Sequence, residues 1–148
     1  MSYSTIRDYI ETQLNTIAGI GVVHDYERWA SNWKDLLRLY QSSSKLNGWS
    51  ITRRSTSEEW EARPVVRRRH VFEITGIYSL DDSAGSEKTF QDLVEAVCAK
   101  FRHDPNLGGN CLLSGPPQVE NVEARMFGSV LCHVAEISLL VEERSMDE

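Results

Sequence analysis

A chain of 148 residues with 41% hydrophobic and 26% charged residues has the size and composition expected of one globular domain, able to bury roughly two thirds of its unfolded surface without a disulfide or metal staple. A net charge of −6, from 16 Lys+Arg against 22 Asp+Glu, argues against a dedicated duplex-binding protein. The opening MSYSTIRDYIETQ has no apolar leader segment and no stretch approaches the roughly 18 apolar residues of a membrane span, so a cytosolic place of synthesis with no membrane contact is expected.

The first element is a helix expected from Ser4, as N-cap, to about Ala18. Ile6, Ile10, Leu14 and Ile17 form its apolar stripe, and it stops at Gly19-Ile20-Gly21. Val22-Val23-His24 reads as a short strand or an extended link. Trp29–Tyr40 (WASNWKDLLRLY) has helical spacing of Trp29, Trp33, Leu36, Leu37 and Tyr40, an apolar stripe that fits either the core or a contact with another subunit. Gln41–Asn47 is a polar link.

Gly48–Arg54 reads as a strand, and Ser55–Arg63 as the polar, irregular tip of a long hairpin ending at Pro64. The returning strand is Val65–Leu80, VVRRRHVFEITGIYSL. Its second half is β-branched and aromatic, while its first half carries Arg67, Arg68, Arg69 and His70, which must meet water, a partner or acidic groups.

Asp81–Ser86 is a turn. Glu87–His103 is the clearest helix: Phe90, Leu93, Val94, Val97, Cys98 and Phe101 recur on one face, with Glu87 at the positive end of the dipole and Lys100, Arg102 and His103 at the negative end. Asp104–Pro117 is a turn-rich linker whose Gly108-Gly109 has neither the leading strand nor the Gly-Lys-Ser/Thr of a phosphate loop. Two antiparallel strands, about Gln118–Phe127 and Ser129–Glu143, turn at Gly128-Ser129. In the second, Leu131, His133, Ala135, Ile137, Leu139 and Val141 share one face by period two, and Arg144–Glu148 is a frayed tail. The expected fold is α+β: a four-stranded, mainly antiparallel sheet with helices packed on one face and a long hairpin extension, in a single domain over 1–148.

Chemistry is hard to find. Cys98, Cys111 and Cys132 are odd in number and lack CxxC or CxxH spacing, and the histidines at 24, 70, 103 and 133 are scattered, so free thiols and neither a zinc site nor another cofactor are expected. No GxSxG, HExxH or Walker signature is present, the adjacent carboxylates fall in loops, and His133 on an apolar face reads as a core histidine; the chain is not expected to be an enzyme. The charge is divided, however. Lys45–His70 holds seven basic residues (Lys45, Arg53, Arg54, Arg63, Arg67, Arg68, Arg69) against Glu58, Glu59 and Glu61, a local +4, which leaves −10 on the remainder. Such a molecule can pair head to tail with its own copies.

From His70 to Arg144 the chain resembles the tail terminator (tail completion) proteins of long-tailed bacteriophages: the strand HVFEITGIYSL, the helix TFQDLVEAVCAKF, a Gly-rich linker with a Pro pair, and a closing hairpin ending GSVLCHVAEISLLVEER. Chain length, N-terminal helix and basic hairpin are similar too. The resemblance implies a structural virion protein of the tail and neck, found in the host cytoplasm during assembly. It would form a homo-oligomeric ring, a hexamer, on the end of the tail tube, stop polymerisation of the tube protein and offer a surface to the head connector or stopper protein. Genomic DNA would pass through the lumen without sequence-specific binding.

Contact residues expected at the subunit boundary or lumen are Arg53, Arg54, Arg67, Arg68, Arg69 and Trp60, with Glu120, Glu123 and Glu136 as an acidic partner surface on the neighbour. Three alternatives stay open. One is another neck component, a stopper or adaptor; the second is a small ligand-binding α+β domain with a pocket near His133 and Cys132. The third is a single-strand nucleic-acid binder using Trp49, Trp60 and the arginines.

Overall fold

The computed structural model describes residues 2–26, 35, 38–42, 45–127 and 130–146. The helix expected over Trp29–Tyr40 therefore falls for the most part outside the described residues, as do the turn at Gly128-Ser129 and the last two residues.

Helix α1 is Tyr3–Asn15. Ser2, not Ser4, is its N-cap: Ser2 is extended and its Oγ accepts the Thr5 N–H at 3.2 Å. Starting there makes Tyr3 the first helical residue, and its ring stacks on Phe72 with centroids 5.2 Å apart. The expected stripe of Ile6, Ile10 and Leu14 is fully buried, and Ile17 joins the core from just beyond the helix end.

Strand β1 is Val22–His24, β2 Gln41–Ser42, β3 Lys45–Ala62 and β4 Val65–Ser79. Helix α2 is Ser86–Arg102, β5 Leu113–Ser114, β6 Gln118–Phe127 and β7 Val130–Met146. The class is α+β, a mostly antiparallel sheet with two described helices. Six strands run in the order β1, β3, β4, β7 and then β5 or β6, which lie beside different parts of β7; β2 pairs only with the start of β3.

The expectation of four strands matches the long ones, β3, β4, β6 and β7. It leaves out β1, the stretch read as either a short strand or a link, which pairs parallel to β3, and it misses β2 and β5. Strands of two or three residues are too short to show an alternating pattern.

Both helices pack on one face of the sheet. The buried α2 residues Phe90, Leu93, Val94, Val97, Cys98 and Phe101 form one cluster with α1. From the sheet come Trp49 and Ile51 of β3, Phe72 and Ile74 of β4, and Ala135, Ile137, Leu139 and Val141 of β7. Register accounts for the selection: Ile51, Ile74 and Ile137 lie opposite one another across three strands, as do Trp49, Gly76 and Ala135. On the other face Tyr40, Leu46 and Cys132 form a small second cluster.

Two boundaries differ from expectation in the same region. Ser55–Ala62, read as an irregular tip, is strand, and β7 runs on to Met146 alongside β4 as far as Val65. Three strands thus extend side by side to the turn at the cis Arg63-Pro64 bond. These residues have few apolar side chains, and what orders them is charge.

Candidate interaction surface

Arg67, Arg68 and Arg69 sit in the middle strand of this three-stranded end, so each is flanked by two neighbours. β3 supplies Glu58, Glu59 and Glu61, and β7 supplies Glu142, Glu143 and Arg144. Alternation sends Arg68 to the helix-bearing face and Arg67 and Arg69 to the other.

On the first face Arg68 bridges Glu58 (Nε to Oε1, 2.7 Å) and Glu143 (Nη1 to Oε1, 3.2 Å). On the second, Arg69 donates to Glu142 at 2.8 Å and lies 3.6 Å from Glu59, while Arg67 and Arg144 both donate to Glu61, at 2.9 and 2.8 Å. The hydrogen bond from Arg144, reinforced by both guanidinium charges, lowers the Glu61 pKa. The bond to Glu142 raises that of Arg69.

The arginine cluster therefore finds its acidic groups within its own chain. Glu120, Glu123 and Glu136 are occupied elsewhere: Glu120 accepts from Ser138 Oγ at 2.7 Å, and Arg125 pairs with Glu123 and lies 3.7 Å from Glu136. In sequence Glu142 and Glu143 only close an alternating strand; that they stand opposite Arg69 and Arg68 appears once β4 and β7 are put in antiparallel register. Arg53 and Arg54 lie beyond the ladder. The Arg53 guanidinium sits 3.7 Å from the Tyr3 ring centroid, and Arg54, mostly exposed, is 4.0 Å from Glu73. Trp60 is half-exposed, with the Arg63 guanidinium 4.7 Å from its ring.

At the base of the ladder on the helix side, His70 and Glu143 are both buried. His70 Nδ1 meets Thr56 Oγ1 at 2.8 Å, its Nε2 is 3.4 Å from Glu143 Oε2, and the Tyr3 ring stands edge-on to it. Burial depresses the His70 pKa, and the adjacent Glu143 carboxylate offsets only part of that.

His133 forms a buried pair with Ser86, Nε2 to Oγ at 2.8 Å, stacked on Phe90. A serine and a histidine at this distance are two parts of a hydrolytic set, but both side chains are buried, and Ser86 Oγ also accepts the Asp81 N–H at 2.7 Å, which ties it to the turn before α2. The pair acts as a latch fastening the β4–α2 turn to β7. Ser86→Ala is expected to cost about 1–2 kcal/mol in a urea titration, because it strands a buried imidazole nitrogen and a backbone N–H.

The cysteines are buried and unbonded; burial pushes the Cys111 and Cys132 thiols up to about 11, so neither is a nucleophile at neutral pH. Asp8, Glu11 and Asp25 gather their carboxylates within 4.8 Å, but Arg7 already lies 3.6 Å from Asp8 and 3.8 Å from Asp25 and supplies a cation there. An open groove of about 700 Å³ crosses the helix-free face, with Arg54 and Glu120 on its banks and Val71 and Leu140 between them. A comparison of the chain with known protein families and with curated proteins finds no match in either.

Proposed function

We propose that the chain is a structural assembly protein of the tail terminator type: a ring on the end of a phage tail tube that stops tube growth and presents a surface for head joining. Another neck component, a stopper or adaptor, is the nearest alternative. The observation that supports this reading best is a sheet with two different long edges. Among the described residues, β6 has β7 as its one neighbour, and β3 beyond its short pairings with β1 and β2 has only β4. A ring needs two unlike patches on each subunit, and a well-packed core with two unlike edges meets that need without a catalytic set.

In this reading the outer ends of β3, β4 and β7 form an extension reaching a neighbour or the lumen. Residues 53–69 and 140–146 hold seven arginines against five glutamates, a net +2, enough to tolerate passing DNA without gripping it. Because Arg67–Arg69 are engaged within the subunit, the exposed Arg54, with Trp60, is the better contact with a neighbour or the DNA.

Arg54→Glu is accordingly expected to leave the melting temperature nearly unchanged while weakening tube attachment. Arg67→Glu with Arg69→Glu sets new acids against Glu59, Glu61 and Glu142, and is expected to lower the melting temperature as well. The deciding experiment adds the protein to polymerising tail tubes and images them by negative stain. Rings at tube ends with shortened tubes support the proposal; tubes of unchanged length with bare ends defeat it.

A further inference from the structure

Strand β6 is an unusual element for a free subunit. It spans Gln118–Phe127, and apart from the half-buried Asn121 every residue from Gln118 to Met126 is exposed, although one of its faces is apolar. Val119, Val122 and Met126, with Leu131 beside Met126 on β7, turn 39–54% of their surface to solvent. The first half of the strand is poorly suited to pairing at its open edge: it follows Pro116-Pro117 and is broken by a bulge between Val119 and Asn121. The second half, Val122-Glu123-Ala124-Arg125-Met126, is regular and has neither proline nor lysine to guard it.

That half is self-complementary. We propose that β6 pairs antiparallel with β6 of a second copy of this chain about a two-fold axis at Ala124, joining two sheets into one. In that register Val122 lies opposite Met126 of the second copy on the helix-bearing face, and Ala124 lies opposite Ala124. On the other face Glu123 lies opposite Arg125, and each contact occurs twice by symmetry. Moving the axis by one residue either way loses the match. Centred on Glu123 it sets Glu123 against itself, and centred on Arg125 it sets Arg125 against itself. Glu123 and Arg125 already point to the same face, since they pair with each other within the strand.

The contact is isologous and closes at two copies, so it is a state of the free protein and not the ring contact, which needs unlike patches. Its effect is to cover an edge that otherwise templates open-ended strand addition.

The test is a charge swap read by sedimentation and native mass spectrometry on the full chain. The native protein is expected to be a dimer. Glu123→Arg alone and Arg125→Glu alone each set two like-charge pairs across the axis and are expected to raise the dimer dissociation constant about thirtyfold. The double variant restores it to within about threefold. Ala124→Cys is expected to cross-link two chains on oxidation, since opposed residues of antiparallel strands lie at disulfide distance, and Val119→Cys is not.

A native monomer, a double variant no better than the singles, or equal cross-linking at both positions would each overturn the pairing. A free hexamer insensitive to both reversals also overturns it while leaving the ring reading intact. A dimer that swaps as expected but never caps a tube supports the pairing and sinks the ring.

Discussion

Gly76→Val is expected to cost the fold about 3 kcal/mol or more, a large share of the roughly 5–15 kcal/mol that holds a domain together. Gly76 lies in the central strand between Trp49 and Ala135, and the fully buried Trp49 indole lies across it. A Cβ added at Gly76 would stand 2.6 Å from Trp49 Cη2, closer than carbon atoms approach without displacement. The indole has nowhere to go: Phe90 of α2 stacks on its far side, with centroids 6.0 Å apart.

The check is a double-mutant cycle by urea unfolding. Trp49→Phe alone loses ring volume but also removes an indole N–H that has no hydrogen-bond partner among the described residues, so it should cost less than the lost volume implies. Combined with Gly76→Ala it should be less destabilised than the sum of the two single changes, because the smaller ring vacates the space the methyl needs. Strict additivity would show that the two residues do not share that space.

Glu143→Ala is expected to cost about 3 kcal/mol, in the range for removing one partner of a buried ion pair. Glu143 is 1% exposed and is held by Arg68, with His70 Nε2 at 3.4 Å. Its loss leaves the half-buried Arg68 with Glu58 alone and leaves His70 Nε2 facing an empty site. Glu143→Gln, which still accepts from Arg68, should cost less, and chemical denaturation at pH 7.5 separates the two.

The same site sets an acid response. The folded-state pKa of His70 is depressed by burial, so between that value and its unfolded value of about 6.5 the unfolded chain binds more protons than the folded one. Stability should therefore be full above about pH 6.5 and fall as the pH drops through that window. His70→Gln should flatten that part of the pH profile, and an unchanged slope would assign the acid sensitivity to other groups.

Much of the fold was legible because burial writes a period into the sequence. The six-residue stripe of α2 is buried as read, and so are Ala135, Ile137, Leu139 and Val141 of the alternating face of β7, whereas Leu131 at its start is exposed. The same reasoning failed at Ser55–Ala62. A strand whose neighbours are salt-bridged has no apolar alternation, and its turn-like run of Ser, Thr and Glu is indistinguishable from a solvated loop until Arg67–Arg69 stand opposite it. The candidate contact residues were similarly half-legible. The arginines stood out as a charge run, but their partners Glu142 and Glu143 lie more than 70 positions away.

The sequence by itself determined the apolar stripes of both helices, the buried positions in the middle of β7 and the α+β class. Each of these depends on residue type and on spacing along a single element. The tertiary structure decided the rest: that the arginine run is neutralised from both sides, that His70 and His133 are held in polar pairs inside the fold, and that among the described residues β6 is left with an open edge. Those properties depend on which strands become neighbours and in what register, and that is fixed by the packing of the whole sheet against its helices.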